Sequence, residues 1–331
     1  MCYNQKVKKI VLAIILTALY AASALADLQQ KLERLAATTE GQVSIAFLDL
    51  KSSQEVSVNG DQPLPAASVA KVPVMCAAFH LADSGKLDLQ RRLKFRESDK
   101  LEGAGVLRWM KAGQEYTLWN LVRLMITLSD NSATRLVVNT VGLPAIESYI
   151  KSSGLKQTRV IDPTMLVEPP ALNNNLTSAS DMARQLVLIH NCRGFSKTSA
   201  KQMIAWLNYQ RYRWGIWRGV PPGTYVANKT GHLDGVLNDV GLVYTKKGTY
   251  ALAVLTAGFK NNSHARQLIN DISRTVYEEY TGERVARPEA KGQRPKVIKR
   301  KLSRRPSAKS KRRSGRSGRP SYHKSRLSRP L

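Results

Sequence analysis

Hydrophobic positions near the start of the chain follow first a helical and then a strand periodicity. Leucines between residues 28 and 35 recur at helical spacing and predict a short amphipathic helix. At 43–47, and again at 56–58, larger apolar residues alternate with smaller or polar ones, which is the period of a strand. The polar turn at 51–54 between these runs indicates an antiparallel hairpin.

The segment after the hairpin predicts a helix that begins at Ser68 and runs to about Ser84-Gly85. Pro73 lies inside this helix, where it removes a backbone donor, so we expect a local bend there. Residues 87–208 are mostly helical by pattern and rich in loops. The middle of the chain is therefore predicted as a helical region.

One helix of this middle region has a clear start and a clear end in the sequence. Thr117 is of the residue type that caps helix N-termini. The helix should stop at Ser129-Asp130-Asn131, since these three residues favour turns over helix interiors. Its buried stripe is predicted to contain Leu118, Leu121, Val122, Met125 and Leu128.

Strand patterns return late in the chain, at 225–229, 239–244 and 249–255, and an amphipathic helix follows at 265–280. Strands therefore lie at both ends of the pattern, and helices lie between them. This order predicts an α+β fold, in which an antiparallel five-stranded sheet is flanked by helices and carries an inserted all-helical subdomain. A cleft should form where the sheet and the subdomain meet.

Charge separates the chain into a folding part and an appendage. The 331 residues carry a formal net charge of +28, and residues 286–331 contain 18 lysines and arginines beside one acid, Glu289. This segment has few apolar residues, so we predict a disordered basic tail. An anionic envelope polymer or membrane surface is the expected partner, although a solvated tail without a partner stays open. Because Tyr322 is its one aromatic residue, we expect no sequence-specific recognition of nucleic acid.

The N-terminal pattern is typical of a secretory signal peptide over residues 1–26. Three lysines between positions 6 and 9 precede an apolar run at 10–22, and Ala24-Leu25-Ala26 supplies small residues at a cleavage site. An uncleaved membrane anchor is the alternative, but the apolar run is short for a membrane span. The mature protein should therefore begin at Asp27 outside the cytoplasm, with a folded domain over 27–285.

Two cysteines, Cys76 and Cys192, remain after removal of the signal peptide. An oxidising compartment would allow them to pair, but two cysteines so far apart do not establish a disulfide framework. Both are interpreted as small buried apolar residues, and their pairing is left open.

The first candidate for chemistry is the pair Ser68 and Lys71, which lie three positions apart at the predicted helix start and so share one face. A serine hydroxyl needs a neighbouring base to act as a nucleophile, and a lysine can serve when burial or nearby cations lower its pKa. The spacing alone is weak evidence, because Ser-x-x-Lys also occurs at 153–156 and 321–324.

Two polar triplets downstream strengthen this hypothesis. Ser129-Asp130-Asn131 by itself could be only a helix stop, and Lys229-Thr230-Gly231 could be only an exposed strand end. Together with Ser68 and Lys71, in this order, they resemble the signature Ser-x-x-Lys, Ser-Asp-Asn and Lys-Thr-Gly of the penicillin-recognising serine enzymes. Within that superfamily the chain is similar to the class A β-lactamases and the penicillin-binding D,D-peptidases. The similarity includes GAGVLRWMKAGQEYTLWNLVRLMITLSDNSATRLV around the second motif and spans about 28–280.

The resemblance implies a catalytic role for four residues of the three motifs. Ser68 would attack the carbonyl carbon, and Lys71 would hold or relay its proton. Ser129 would pass a proton to the leaving nitrogen, and Lys229 would stabilise it electrostatically.

The resemblance also implies how the substrate is held. Thr230 would donate a hydrogen bond to the substrate carboxylate, and Asn131 would bind the substrate amide. Backbone N–H groups of Ser68 and His232 would form the oxyanion hole, because the strand edge after Gly231 can present its amide inward. Asp130 is expected to fix the loop from beneath.

The loop that clears the acyl-enzyme departs from the family pattern. Class A enzymes use a glutamate in Glu-x-x-Leu-Asn, whereas this chain has Glu168-Pro169-Pro170-Ala171-Leu172-Asn173, one residue longer. If the extra residue bulges, Glu168 and Asn173 can still bracket the hydrolytic water. If it does not, the acyl-enzyme persists. The carboxylate-binding arginine of the family is also missing near residues 236–238, and Arg218 is a candidate substitute.

The sequence thus predicts a bacterial periplasmic or cell-envelope hydrolase that needs no cofactor or metal. It would open the β-lactam amide through a Ser68 acyl-enzyme that water then hydrolyses. A D,D-peptidase acting on D-Ala-D-Ala peptidoglycan stem peptides, with slow deacylation, is the first alternative. A catalytically degenerate protein that binds polyanions or the cell envelope through its basic tail is the second.

Overall fold

The computed structural model describes residues 23–163 and 175–286. Most of the predicted signal peptide and the basic tail from residue 287 lie outside this range. Glu168 and Asn173 also lie outside the described residues. Helix α1, at 23–37, begins the described part and confirms the amphipathic helix expected from the leucine spacing.

One antiparallel five-stranded sheet, in the order β2-β1-β9-β8-β7, forms the frame of the molecule. Its strands are β1 (Gln42–Asp49), β2 (Glu55–Val58), β7 (Tyr225–Leu233), β8 (Val236–Tyr244) and β9 (Thr249–Ala257). The predicted hairpin of β1 and β2 is confirmed, and β9 pairs with β1 along its full length. The first and last strands therefore share one sheet, as the α+β prediction requires.

Strands β7 and β8 are longer than the sequence pattern indicated. Leu233 pairs with Val236, so Asp234 and Gly235 form a two-residue hairpin turn in which Gly235 has a φ of +67°. Of the two turn residues only Gly235 has a left-handed φ, which glycine adopts without a steric penalty. The extension places Lys229-Thr230-Gly231 inside β7 and not at a strand end.

The helices cover both faces of this sheet. The named helices besides α1 are α2 (Lys71–Asp83), α3 (Leu118–Thr127), α4 (Asn131–Val141), α5 (Leu143–Ser152), α6 (Ala179–His190), α7 (Lys197–Asn208) and α8 (Asn262–Thr281). One apolar core joins α1 and α8 to one face, and a second core joins α2–α7 to the other. Successive side chains of a strand point to opposite faces of the sheet. In β9, Ala251 and Ala253 therefore pack in the second core, whereas Tyr250 and Leu252 pack in the first.

The helical middle also contains short strands that the sequence pattern did not predict. β3 (Leu64–Pro65) pairs with β6 (Leu176–Thr177), and β4 (Arg92–Lys94) pairs with β5 (Glu115–Thr117). Strands of two or three residues are too short to show a periodicity of their own. The predicted cap at Thr117 is confirmed, because its side chain accepts a hydrogen bond from the Asn120 N–H.

The start of the second helix differs from the prediction. A 3₁₀ turn occupies Ala67–Ala70, and α2 begins only at Lys71. Pro73 is therefore the third residue of α2, where a backbone N–H has no intrahelical partner in any case. The reason for expecting a bend in the helix interior therefore does not apply, because no hydrogen bond of the helix ladder is lost at this position.

Two further findings concern the cysteines and membrane spans. Cys76 is buried in α2 and Cys192 is half-buried, and both thiols are free. Burial raises the pKa of the Cys76 thiol, in keeping with its interpretation as an apolar residue. Within residues 23–163 and 175–286, the structure contains no helix with the length and apolar character needed to cross a bilayer.

The joint between the sheet and the segment before α2 depends on one buried carboxamide. Asn238 of β8 donates to the carbonyl oxygens of Pro65 (2.9 Å) and Ala66 (3.0 Å), and its Oδ1 accepts from the Thr256 N–H (3.0 Å). Substitution Asn238→Ala removes all three hydrogen bonds, although the Ala66 carbonyl still accepts from the Val69 N–H (3.2 Å), so we expect a loss of roughly 2–4 kcal/mol in the free energy of unfolding. Urea denaturation measures this loss.

The exposed Asn139 on α4 supplies the matched control for this substitution. Asn139→Ala should leave the free energy of unfolding unchanged or slightly higher, since alanine favours helices. Equal stabilities of the two variants would contradict the structural role given to Asn238.

Candidate active site

Ser68 lies in the 3₁₀ turn before α2 and faces a cleft of about 260 Å³. Ala67, immediately before it, has a left-handed φ of +46°, a conformation that non-glycine residues rarely adopt and that clusters at functional sites. The Asn238 carboxamide fixes the turn from one side, and the Ala66 N–H donates to the Asn175 carbonyl (2.8 Å) on the other. The backbone around the hydroxyl is therefore held from two directions.

The break between α3 and α4 forms a second wall of the cleft. Ser129 has a φ of +55°, and Asp130 caps α4 by accepting from the Ala133 N–H at 2.9 Å. The other carboxylate oxygen of Asp130 accepts from the N–H groups of Val106 (2.6 Å) and Leu107 (2.9 Å). Asp130 thus fixes the neighbouring loop from beneath, as the sequence had suggested.

The side-chain amine of Lys71 is completely buried below the cleft. Its Nζ donates to the Ser129 carbonyl (2.7 Å) and to Asn131 Oδ1 (2.7 Å), and it lies 3.2 Å from Ser129 Oγ. Burial lowers the pKa of Lys71 well below its ordinary value, and the charge of Lys229 lowers it further against the opposing effect of Asp130. The lowered pKa favours the neutral amine, which has two N–H donors and a lone pair that can accept a proton.

Lys229 reaches the same serine from β7. Its Nζ donates to Ser129 Oγ (3.0 Å) and to the Thr230 carbonyl (2.7 Å), and the side chain is completely buried. Burial lowers the pKa of Lys229 to about 7, although the Asp239 carboxylate raises it. The hydroxyl of Ser129 therefore lies between two buried amines, so it can exchange protons with either side.

Asp239 is a buried acid behind Lys229 that sequence reasoning did not single out. It lies on β8 opposite Thr230, and it accepts from Asn228 Nδ2 (2.8 Å) and from the Ile216 N–H (2.7 Å). Burial raises the pKa of Asp239. The carboxylate is thus the counter-charge for Lys229 and also anchors the chain just after the cleft-lining Trp214.

The edge of β7 brings three further predicted residues to the cleft. Thr230 and His232 line it, and Gly231 lies between them with no room for a side chain. A Cβ at Gly231 would lie 3.0 Å from the Ala66 carbonyl and 3.1 Å from Ala67 Cβ, so glycine allows the strand to approach the Ser68 turn. The His232 ring is exposed and its Nε2 lies 3.0 Å from Asn262 Nδ2, on the side of α8.

Residues from all three motifs therefore meet at one place. Those that line the cleft are Ser68, Ser129, Asn131, Thr230 and His232. Lys71 and Lys229 contact Ser129 from below the cleft, and Gly231 provides the close approach of the strand. The positions of Glu168 and Asn173 relative to the cleft stay predictions, because both residues lie outside the described part of the chain.

Asn131 makes contacts beyond the substrate-binding role that the resemblance implies. Its Oδ1 accepts from Lys71, and its Nδ2 donates to the Glu102 carbonyl at 2.9 Å. One N–H of the amide group remains for a substrate, since the group has two. The side chain thus joins the buried amine to the loop that borders the cleft.

The two flanks of segment 164–174 are held together close to the cleft. The Asn175 side chain accepts from the N–H groups of Ile161 (2.7 Å) and Asp162 (2.9 Å) and donates to the Asp162 carbonyl (2.9 Å). The Asn175 carbonyl also receives the Ala66 N–H. Asp162 and Asn175 are therefore held together, and Asn175 is bonded to the backbone just before Ser68.

Sequence reasoning missed two aromatic residues of the cleft wall, Tyr212 and Trp214. The available signal was the unusual density of aromatic and basic residues in YQRYRWGIWR, residues 209–218, which carries no strand or helix periodicity. Arg218, the candidate carboxylate-binding substitute, is exposed and is not among the described residues that line the cleft. That assignment is therefore not supported by its position.

Comparison with known proteins agrees with this arrangement. Residues 27–280 match the model of the Beta-lactamase enzyme family. A β-lactamase from Sphaerobacter thermophilus is 32% identical to this chain and superposes with a TM-score of 0.70. The match covers 78% of this chain and 97% of the Sphaerobacter protein. PBP-A shares 28% identity with a TM-score of 0.72 over 78% and 97% of the two chains. An ancestral class A β-lactamase shares 25% identity with a TM-score of 0.71 over 76% and 99%.

The family match covers well over half of the chain, and the solved structures share both the fold and a quarter or more of the sequence. Their α+β architecture is the one built here around the five-stranded sheet. The chain therefore belongs to the β-lactamase enzyme family, and it is a β-lactamase-like serine hydrolase of the penicillin-recognising superfamily.

Proposed function

We propose that the protein hydrolyses the amide bond of β-lactams through an acyl-enzyme on Ser68. The observation that carries this proposal is the arrangement of Lys71, Ser129 and Lys229, two buried amines that share one hydroxyl directly beneath the cleft. Such a network can take a proton from a nucleophile on one side and deliver a proton to a leaving group on the other. The β-lactamases among the similar structures support the same chemistry.

Acylation follows from the protonation states of the two amines. Neutral Lys71 accepts the Ser68 proton while Oγ attacks the lactam carbonyl carbon. The negative charge on the carbonyl oxygen is stabilised by the backbone N–H groups of Ser68 and His232. Ser129 then donates its proton to the lactam nitrogen and is reprotonated through the amines, so the C–N bond breaks and a Ser68 ester forms.

Substrate binding uses the polar edge of β7. The Thr230 hydroxyl donates to the substrate carboxylate, and charged Lys229 beneath it adds an attractive potential. The free N–H of the Asn131 amide group binds the substrate amide oxygen. Together these contacts orient the carbonyl towards Ser68 before reaction, which lowers the entropic part of the barrier.

Deacylation requires a base that directs water at the ester, and Glu168 is the residue to which we assign this role, with Asn173 as its partner. The carboxylate would take a proton from water as the hydroxide adds to the ester carbonyl, and Ser68 leaves with a proton. Asp162 and Asn175, on the two sides of this segment, are hydrogen-bonded to each other next to the Ser68 turn. The product is a ring-opened acid and the free enzyme.

A D,D-peptidase that deacylates slowly is the second candidate function. Its support is the similarity to PBP-A, of which a single-site mutant has been solved as an acyl-enzyme complex with penicillin G. The extra residue between Glu168 and Asn173 also supports it, because a displaced carboxylate would leave the ester intact. The substrate would then be a peptidoglycan stem peptide that ends in D-Ala-D-Ala.

The proposal for location rests on the chain ends. A signal peptide over 1–26 would direct the folded domain, 27–285, to the bacterial periplasm or cell envelope. The basic tail over 286–331 would bind an anionic envelope polymer or membrane surface there. A degenerate binding protein that acts only through this tail is the remaining alternative, and the first prediction below separates it from an enzyme.

Fluorescent penicillin should label the wild-type protein covalently, and Ser68→Ala should abolish the label, because it removes the hydroxyl that we propose as the nucleophile. Gel fluorescence after denaturation measures the covalent adduct. Ser153→Ala, which removes the serine of another Ser-x-x-Lys sequence, should label like the wild type. An unlabelled wild type would favour the binding protein, and a labelled Ser68→Ala would refute the nucleophile.

Glu168→Ala should reduce steady turnover of a chromogenic cephalosporin by about 100-fold or more, since general-base catalysis typically contributes that much. The initial burst of one acylation per molecule should remain, because acylation uses other groups. Stopped-flow absorbance resolves both phases. Glu147→Ala on α5 removes an exposed carboxylate and serves as the control. Unchanged steady turnover in Glu168→Ala would show that this loop assignment is wrong.

Acylation should lose rate as the pH rises through about 7, because Lys229 then loses the positive charge that stabilises the transition state. Asp239→Asn removes the carboxylate that raises the Lys229 pKa. The fall in acylation rate on the alkaline side, here called the alkaline limb, should therefore occur at lower pH in this variant. The pH dependence of penicillin acylation measures this limb. Asp234→Asn in the exposed hairpin turn should leave it in place. A limb that moves to higher pH in Asp239→Asn would contradict the assigned electrostatics.

A further inference from the structure

A second cavity, which we call the arginine basin, lies next to the catalytic cleft and has no role in the mechanism above. It has a volume of about 630 Å³, against about 260 Å³ for the cleft. Arg123 of α3 and Arg211 and Arg213 of the loop after α7 line it, together with Tyr209, which is 69% exposed. The basin is therefore a large, open and basic depression.

One stretch of extended chain separates the basin from the cleft. Arg211 and Arg213 line the basin, whereas Tyr212 and Trp214, which alternate with them in the sequence, line the cleft. The two cavities are also adjacent at the end of α3, since Leu128 borders the basin and the next residue, Ser129, borders the cleft. Residues that line the two cavities are therefore neighbours in the chain at two places, at Leu128 and Ser129 and on either side of Tyr212.

The positive charge of the basin is not neutralised by the described part of the protein. No acidic side chain is among the described residues that line it, and none of the three arginines takes part in an ion pair there. Arg213 is held by stacking on Trp217, with 4.2 Å from Cζ to the ring centroid, and its Nε and Nη2 donate to the carbonyls of Gln210 (3.4 Å) and Asn208 (3.5 Å). Its remaining N–H groups are available for an anion.

The wall of the basin is preformed by buried hydrogen bonds. Gln210 is completely buried, and its Nε2 donates to the Ile126 carbonyl (3.1 Å) while its Oε1 accepts from the Tyr212 N–H (3.2 Å). The Arg211 N–H donates to the Thr127 carbonyl at 3.0 Å. These bonds tie the loop to the last turn of α3, so little ordering entropy is lost when a ligand binds.

We propose that the arginine basin binds the carboxylates of an acidic peptide whose reactive end occupies the catalytic cleft. This inference rests on the D,D-peptidase candidate of the proposed function, because it assigns a peptide as the substrate that reaches Ser68. An extended peptide spans about 3.3–3.6 Å per residue, so carboxylates a few residues away from the reacting carbonyl reach the basin. Guanidinium groups match carboxylates in shape and charge, and the aromatic rim packs against the peptide between them.

Size and charge favour this occupant over a small β-lactam. The cleft holds a compact ligand by itself, and a ligand with one carboxylate uses the Thr230 and Lys229 edge. Three arginines without described counter-charges can bind more than one anionic group, which a chain with several acidic side chains supplies. The basin therefore selects for acidic peptide substrates, whereas the cleft alone suffices for acylation by a small antibiotic.

The test compares two peptides that end in D-Ala-D-Ala and differ only in two glutamates or two glutamines upstream. Binding is measured by calorimetry to full-length Ser68→Ala protein, so no turnover occurs. The glutamate peptide should bind about tenfold more tightly at low ionic strength, which corresponds to about 1.4 kcal/mol. This preference should decline as salt rises above about 0.1 M, where the screening length is about 10 Å.

Adding Arg123→Gln and Arg211→Gln to the Ser68→Ala protein should reduce the preference to less than about twofold. The matched control adds Arg184→Gln and Arg193→Gln, two exposed arginines that border a separate depression at the end of α6. This control changes the net charge equally and should keep the tenfold preference. Thermal denaturation of both variants confirms that they fold.

Several outcomes would overturn the proposal. They are equal binding of the two peptides, a preference that survives in the Arg123 and Arg211 variant, or an equal loss in the Arg184 and Arg193 control. Binding of tripolyphosphate that depends on Arg123 and Arg211, without any preference between the peptides, would assign the basin to phosphates instead. Failure of the proposed function shows separately, as absence of penicillin labelling in wild-type protein, since the binding test needs no chemistry.

Discussion

The burial of two lysine amines around one serine hydroxyl is the constraint on which the rest of the structure depends. Moving an ammonium ion out of water costs several kcal/mol, and two such ions close together repel each other. The protein lowers this cost by depressing the pKa of Lys71, whose amine has two matched acceptors, and by the Asp239 carboxylate, which raises the pKa of Lys229. A weak base at Lys71 and a cation at Lys229 are what acyl transfer needs, so the electrostatic solution and the proposed chemistry coincide.

This arrangement requires that three distant elements stay fixed relative to one another. Asp130 ties the break between α3 and α4 to its neighbouring loop, and Asn238 ties β8 to the backbone just before Ser68. Gly231 lets β7 approach within contact distance of the Ser68 turn. Strained backbone at Ala67 and Ser129 is tolerated because these buried hydrogen bonds over-determine both positions. The site is thus preorganised, and little reorganisation is needed during reaction.

The two functional alternatives differ in a small part of the molecule. The cleft, the two amines and the polar edge of β7 serve acylation in a β-lactamase and in a D,D-peptidase alike. Under the proposed mechanism the difference lies in how water reaches the ester, which is the role proposed for Glu168. The arginine basin adds a distinction in substrate binding, because it offers positive charge to a long acidic ligand beyond the space that a small lactam fills.

The sequence by itself determined the features that depend on neighbours close in the chain. The β1–β2 hairpin, the α3 helix with its Thr117 cap and the stop at Ser129 follow from local periodicity and capping, and the three motifs carried the family resemblance. The tertiary structure decided the properties to which elements far apart in the sequence contribute together. The pKa values of Lys71 and Lys229, the role of Asp239 and the basin beside Tyr212 arise from burial and charge contributed by strands and helices far apart in sequence, and no local pattern encodes them.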